Sequence, residues 1–402
     1  MKHVVVIGAG QAGVSVAARL RSAGHTGAIT LIGAEAAPPY QRPPLSKGYL
    51  LGEMNAERLW LRGADFYADH AVTLLLGTPV SAIDPVGKTV AVGGNLIAYD
   101  DLVLTTGSLP RRLPLAVGGG LAGVYTVRML TDVDAMKAEF VAGRRVVIVG
   151  GGYIGLEAAA VAAKSGLDVT VLEMAPRILQ RVAARETSDY VRALHAAHGV
   201  KIFESTGLDR LIGDTRVTAA RLADGRVVPA DFVIAGVGIL PETALAEAAG
   251  LAVENGIKTD AYGRTSDPYI WAAGDCASFP FQGGRLRLES VGKAIDQAEV
   301  VADNILGAGV AYQAHPWFWS DQYDCKLQIA GLNTGYDSIV TRGPDGASVS
   351  FWYFRGDVLL AVDAMNDPRA YMVGKRLIEQ GKSPARSVLT NPATVLKDLL
   401  KA

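Results

Sequence analysis

Short runs of β-branched and apolar residues alternate with longer Ala-rich stretches along much of the chain. Val4–Ile7 is an apolar run of strand length. An Ala-rich amphipathic stretch follows and closes at Gly24, and Ile29–Ile32 reads as a second strand. The pattern then recurs. Residues 145–149 are another β-branched run, the Ala-rich stretch behind them closes at Gly166, and 169–172 is again a strand. Strand, turn, helix and strand, twice over, predict an α/β chain built on two Rossmann-like units. Residues 102–104 and the apolar residues after Tyr269 add further strands. Beyond residue 317 the pattern changes. Residues 326–332 and 349–354 read as strands, Arg355-Gly-Asp357 as a turn into a strand at 358–362, and 371–380 as a helix stopped by Gly381 and Pro384.

Each repeat carries GxGxxG at its strand-to-helix turn. The copies are His3-Val-Val-Val-Ile-Gly-Ala-Gly-Gln-Ala-Gly13 and Arg145-Val-Val-Ile-Val-Gly-Gly-Gly-Tyr-Ile-Gly155. Gly8 and Gly150 permit the tight turn. Gly10 and Gly152 leave room for a pyrophosphate, and Gly13 and Gly155 let helix and strand approach closely. The helix N-terminus then offers free N–H groups and the positive end of its dipole to phosphate. One such motif is weak in a Gly-rich chain, but two in the required setting are not. In the second copy Glu173 follows the strand, 23 residues after Gly150. A carboxylate there accepts from an adenosine ribose and repels a 2′-phosphate, which favours NADH over NADPH. In the first copy Gly33 stands at the matching place, and Glu35, two positions on, is the candidate ribose ligand.

Composition sets limits. The 402 residues suggest two to four domains, and 50% hydrophobic with 20% charged residues excludes a wholly disordered chain. A net charge of −1 gives no support for nucleic-acid binding through bulk charge. No apolar run reaches the roughly 18 residues that span a bilayer, and the N-terminus shows no signal-peptide pattern, so the expectation is a cytoplasmic protein without a membrane partner. Two cysteines, Cys276 and Cys325, make neither a CxxC pair nor an iron–sulfur ligand set.

Two dinucleotide sites in one chain point to a flavin and a nicotinamide. Leu102-Val-Leu-Thr-Thr-Gly107 and Tyr269-Ile-Trp-Ala-Ala-Gly-Asp-Cys276 support this, each a strand running into a polar turn; by resemblance to FAD enzymes with two Rossmann units, Thr106, Gly107 and Asp275 are the candidate FAD contacts. The chain resembles the glutathione reductase-like two-dinucleotide flavoproteins. It resembles more closely the FAD-dependent NADH:[2Fe–2S] ferredoxin reductase family, the putidaredoxin reductase-like enzymes of bacterial cytochrome P450 and dioxygenase systems. The carriers are Tyr40-Gln-Arg-Pro-Pro-Leu-Ser-Lys47, Gly150-Gly-Gly-Tyr-Ile-Gly-Leu-Glu157, Asp260-Ala-Tyr-Gly-Arg-Thr265, Ala273-Gly-Asp275 and Pro316-Trp-Phe-Trp-Ser-Asp-Gln322.

The resemblance implies a discontinuous FAD domain at 1–108 and 240–316, an NAD domain at 109–239, and a small α+β interface domain at 317–402. It implies FAD and NADH as cofactors, a [2Fe–2S] ferredoxin as partner, and a cytochrome P450 or other oxygenase downstream. Lys47 is carried over as a cation beside the flavin and Glu157 as a first-turn carboxylate near the nicotinamide that pairs with it. Their bland alternatives are a solvated lysine and a dipole-favoured carboxylate. Arg42, Arg128, Ala12, Val80, Val291 and Trp319 are carried over as FAD contacts, and Ile154 and Gly238 as NAD contacts. The alternative for Arg128 is a surface salt bridge, and Trp319 reads equally as core. His195 and His198, three apart, read as a solvated helix face rather than a metal site. Arg285, Arg287 and Lys293 read either as a dock for an acidic ferredoxin or as ordinary surface. A rubredoxin reductase, an NADH oxidase and a redox-sensing flavoprotein resembling apoptosis-inducing factor remain as alternatives.

Overall fold

A strand such as Val4–Ile7, apolar at all four positions, is stable only with both faces covered. In the computed structural model, which describes residues 2–343 and 348–401, it lies in the middle of a five-stranded parallel sheet. The order is Ile270–Ala272, Asp101–Leu104, Val4–Ile7, Ile29–Ile32, Val72–Leu75. Alternation divides the side chains between two cores. Val4 and Val6 pack under the helices Gln11–Ser22 and Val291–Ile305, with Ala17, Leu20, Ala298 and Val301. Val5 and Ile7 pack on the other face with Ile83, Val90 and Tyr99, from the segment that holds the small antiparallel sheet Val80–Asp84, Thr89–Val92 and Asn95–Ala98. This unit comprises residues up to Gln41, Asn55–Leu109 and Ile239–Pro316.

The second unit comprises Arg42–Met54, Pro110–Gly238 and the chain from Trp317 on. It repeats the parallel sheet in the order Lys201–Phe203, Asp168–Leu172, Arg145–Val149, Phe232–Ala235, Val124–Tyr125. The helix Tyr153–Lys164 crosses over from Arg145–Val149 to Asp168–Leu172. The C-terminal part is a five-stranded antiparallel sheet, ordered Trp317–Gln322, Cys325–Gly331, Val358–Met365, Val349–Arg355, Ser338–Arg342. The helix Pro368–Glu379 covers it through Tyr371, Val373 and Leu377, against Trp352 and Val362.

Several boundaries differ from the sequence expectation. The helix expected over 371–380 begins at Pro368, because Asp367 caps it through Ala370 N at 2.9 Å and proline suits the first turn. Glu157 lies in the second turn of Tyr153–Lys164, not the first. The run Trp317-Phe-Trp-Ser-Asp-Gln322 is a strand, with Phe318 against Tyr153 at 4.9 Å and Trp319 stacked on Trp317 at 5.5 Å. His195 is not on a solvated face. It is buried, its ring held between Gln322 and Tyr323. Lys293, expected in a surface basic cluster, is also buried: its ammonium donates to the carbonyls of Gly274 (2.5 Å) and Ala277 (3.3 Å), and burial pushes it down to about 8. Arg285 turns inward to the Thr259 carbonyl, and Arg287 pairs with Glu289 at 2.6 Å. These three cations therefore offer little charge to a partner. Among the described residues no helix is long and apolar enough to cross a membrane. No group of three or more His, Cys, Asp and Glu among them could hold a metal ion.

Candidate functional site

In the first unit four turns leave the same carboxyl edge of the parallel sheet: Gly8, Gly33, Thr105-Thr106-Gly107 and Ala273-Gly-Asp275. Ligands of open α/β sheets bind at this edge. Gly8 has φ +114°, and a Cβ there would lie 2.1 Å from the Thr105 carbonyl oxygen. A Cβ on Gly13 would lie 2.0 Å from Gly8 O. These glycines are required by packing. Gly10 differs, because a Cβ on it meets nothing within 4 Å. Space is left above the N-terminus of Gln11–Ser22, as a bound pyrophosphate needs.

Other candidates border this cradle. Gly274 approaches Ala12 so closely that its Cβ would lie 2.9 Å from that of Ala12. This brings Asp275 to the first turn of the helix, where it accepts from Ser108 Oγ at 3.0 Å. Thr106 Oγ donates to the Glu242 carbonyl at 2.6 Å. Glu35 accepts from Tyr40 at 2.5 Å. Val291 opens the helix Val291–Ile305, capped by Ser290, and Val80 opens its own strand. Sequence reasoning missed Gln297, whose Oε1 accepts from Gly274 N at 3.0 Å and whose Nε2 is buried with no partner among the described residues.

The second unit repeats the cradle. Gly150 has φ +109°, and its Cβ would lie 2.3 Å from Gly236 O. A Cβ on Gly155 would lie 2.1 Å from Gly150 O, whereas one on Gly152 meets nothing within 4 Å. Glu173 is clamped at the sheet edge: one oxygen accepts from Gly151 N at 2.8 Å, the other from Ala175 N at 2.7 Å. Ile154 is exposed in the first turn of the helix. Gly238, with φ +99°, accepts from Arg111 N at 2.9 Å.

Arg42, Lys47, Arg128 and Trp319 also belong to this second unit. Pro43 and Pro44 start the 3-10 turn Pro43–Ser46, which delivers Lys47 at its end. Lys47 Nζ reaches Glu157 Oε2 at 2.6 Å, and the pair is largely buried. Ser46 donates to the same oxygen at 2.9 Å and Ser320 to the other at 2.8 Å. Arg42 donates to the Arg128 carbonyl at 2.8 Å. The structure thus joins Lys47 to Glu157 and Arg42 to Arg128. Ser46 and Ser320 were missed. The signal was the period of two in Trp317–Gln322, which puts Phe318, Ser320 and Gln322 on one face.

A family model described as pyridine nucleotide-disulphide oxidoreductase matches residues 2–298, and a second, reductase C-terminal, matches 317–400. The chain belongs to the pyridine nucleotide-disulphide oxidoreductases. Among relatives, a ferredoxin–NAD(P)+ reductase of Sphingomonas is 44% identical over 99% of this chain and 97% of its own length. Putidaredoxin reductase of Pseudomonas putida is 42% identical over 100% and 97%. A solved covalent putidaredoxin reductase–putidaredoxin complex superposes with a TM-score of 0.96 at 41% identity, covering 100% of this chain and 98% of that one. The disulphide of the family name has no counterpart here. Cys276 and Cys325 are both free and buried. Burial pushes both thiols up, Cys325 to about 11. Neither is poised as the thiolate that redox relay needs.

Proposed function

We propose that this protein is an NADH-dependent ferredoxin reductase, taking hydride from NADH through FAD and delivering single electrons to a [2Fe–2S] ferredoxin that supplies a cytochrome P450 or another oxygenase. The observation that carries the reading is the pair of open glycine cradles on two parallel sheets, in a chain whose two thiols are buried and unreactive. The residues fit both groups. Gly8, Gly10, Gly13 and Asp275 would hold FAD; Gly150, Gly152, Gly155 and Glu173 would hold NADH. Once bound, the two cofactors supply the redox chemistry: the nicotinamide gives two electrons as hydride, and the flavin passes them on singly. The protein supplies place and charge. The helix N-termini would receive the pyrophosphates, Glu173 would turn away a 2′-phosphate, and Lys47 with Glu157 would supply a buried charged pair for hydride transfer.

The ferredoxin partner is supported by charge. Residues 367–402 hold seven Lys and Arg against three Asp and Glu, in a chain of net charge −1. Arg369, Arg376 and Lys397 line a concavity together with Met372, Val373 and Leu400. Cationic and apolar side chains side by side suit a carrier with an acidic face. A cytoplasmic setting belongs to the same reading, because it supplies NADH and keeps buried thiols reduced. The test is stopped-flow reduction by NADH followed by acceptor assays. Fast flavin bleaching, slow oxygen uptake and cytochrome c reduction that needs added ferredoxin are expected. Rapid oxygen consumption without a carrier, or turnover with rubredoxin in place of [2Fe–2S] ferredoxin, would reject it.

A further inference from the structure

Behind Glu157 a line of hydrogen bonds continues into the C-terminal sheet and back to the helix Arg185–Ala197. Ser320 Oγ lies 2.8 Å from Glu157 Oε1, and Gln322 Nε2 lies 3.1 Å from Ser320 Oγ. His195 Nε2 lies 2.8 Å from Gln322 Oε1, and the Tyr323 hydroxyl lies 3.1 Å from His195 Nδ1. Glu157, Ser320, Gln322 and His195 are all buried, with exposures of 6%, 1%, 4% and 0%. The remaining carboxylate oxygen, Oε2, is taken by Lys47 and Ser46.

Chemistry fixes the direction of every link. A carboxylate only accepts, so Ser320 gives its one hydrogen to Glu157. Ser320 Oγ then accepts from Gln322, which places the amide nitrogen on that side and turns Oε1 to His195. An amide oxygen accepts, so His195 carries its hydrogen on Nε2. Nδ1 keeps its lone pair and takes the Tyr323 hydrogen. Burial pushes the imidazole down to about 4, so it stays neutral at physiological pH. Four dipoles therefore run head to tail from Tyr323 to Glu157, each with its positive end towards the carboxylate. In a buried setting such a chain strengthens itself by mutual polarisation.

We infer that His195, Gln322 and Ser320 are positioning residues for hydride transfer: a one-way hydrogen-bond chain that holds the Glu157 carboxylate in one rotamer and through it the Lys47 ammonium. This rests on the proposed role of Lys47 and Glu157. It gives the C-terminal sheet a part in the chemistry, because the residue touching Glu157 Oε1 comes from that sheet. The buried His195 acts two residues away from the carboxylate and touches no substrate.

Four variants and one spectroscopic measurement test the inference. His195→Leu and Gln322→Met break the chain without adding charge, and Ser320→Ala cuts it at Glu157. Each is expected to slow the limiting rate of flavin reduction by NADH about tenfold, with the NADH dissociation constant changed by less than about twofold. His195→Gln restores an N–H at the Nε2 position, and the rate is expected to return to within about threefold of wild type. Long-range proton–nitrogen NMR of the wild-type holoenzyme should show the Nε2–H tautomer of His195, and Ser320→Ala should mix the tautomers by freeing the Gln322 amide. An Nδ1–H tautomer in wild type, a His195→Gln enzyme as slow as His195→Leu, or a loss confined to NADH binding would overturn the inference. A wild-type enzyme that NADH does not reduce would instead overturn the proposed function, and the tautomer would still report on the chain.

Discussion

Alanine at the middle and last glycines of the second cradle should separate nucleotide binding from folding. Gly152 has φ −82° and ψ 178°, an extended conformation open to any residue, and a Cβ there meets nothing within 4 Å. Gly152→Ala should therefore fold normally, and reduced freedom of the unfolded chain adds about 0.4–1 kcal/mol of stability. The new methyl stands where the pyrophosphate must approach the helix N-terminus. A hydrogen bond to a charged group is worth about 1.5–3 kcal/mol. Losing one raises the NADH dissociation constant roughly 10- to 150-fold. Gly155→Ala is the opposite case. Its Cβ would lie 2.1 Å from the Gly150 carbonyl oxygen, so helix and turn must move apart. Overpacking of this kind costs about 1–3 kcal/mol. The assay pairs thermal melts with NADH titration of the rate of flavin reduction. The reasoning fails if Gly152→Ala keeps wild-type NADH affinity, or if its melting temperature falls as far as that of Gly155→Ala.

Three further outcomes follow from the geometry. Glu173→Ala removes the carboxylate clamped beside Gly151, and the NADPH-to-NADH ratio of kcat/KM should rise by about tenfold or more; an unchanged ratio contradicts the ribose role. Arg369→Glu with Arg376→Glu should raise the KM for an acidic ferredoxin about tenfold at low salt and much less at high salt, where screening removes the difference; an effect independent of ionic strength argues against docking there. Burial holds the Asp363 carboxyl up at about 6 against an ordinary 3.8, so the folded chain favours its protonated form, and the stability this gives is present at low pH and lost as pH rises through 6. Relative to Asp363→Asn, wild type should lose about 1.4 kcal/mol between pH 5 and 7.5 in urea denaturation, and a pH-independent difference would refute the burial argument.

What was legible in the sequence was what local pattern controls. The parallel strands Val4–Ile7, Ile29–Ile32, Arg145–Val149 and Asp168–Leu172 have the apolar continuity that burial on both faces demands. The glycines announce themselves because each turn forbids a Cβ for a stated reason. The strands Trp317–Gln322 and Ser338–Arg342 were harder. A row of aromatic residues reads as generic core, and Ser338–Arg342 is only partly buried. His195 shows the limit most clearly. Its helix is strongly two-faced, but whether the histidine face meets water or protein depends on the sheet that packs there, 127 positions from His195 in sequence at Gln322. Lys293 misled for a related reason: its carbonyl partners are Gly274, in a turn, and Ala277, at the start of the next strand, and no periodicity records their approach to the helix.

The two cradles share a plan but not an atomic solution, and the difference suits the different tasks proposed for them. In the second copy the turn position is Gly151, where a Cβ would lie 2.7 Å from Ile178 Cγ2 and 3.1 Å from Glu173 Oε2. Its bare N–H is thereby free to hold Glu173. In the first copy the turn position is Ala9, and the place of Glu173 is taken by Gly33, whose Cβ would lie 2.8 Å from the Ala9 Cβ. Only one of the two positions carries a side chain in either copy. An acid at the first strand end is therefore excluded by Ala9, and the candidate carboxylate is Glu35, which accepts from Tyr40. A backbone-clamped carboxylate cannot turn aside for a 2′-phosphate. Such rigidity matters where NADH must be told from NADPH at every turnover. It matters less where a resident FAD, which has no 2′-phosphorylated competitor, is chosen once.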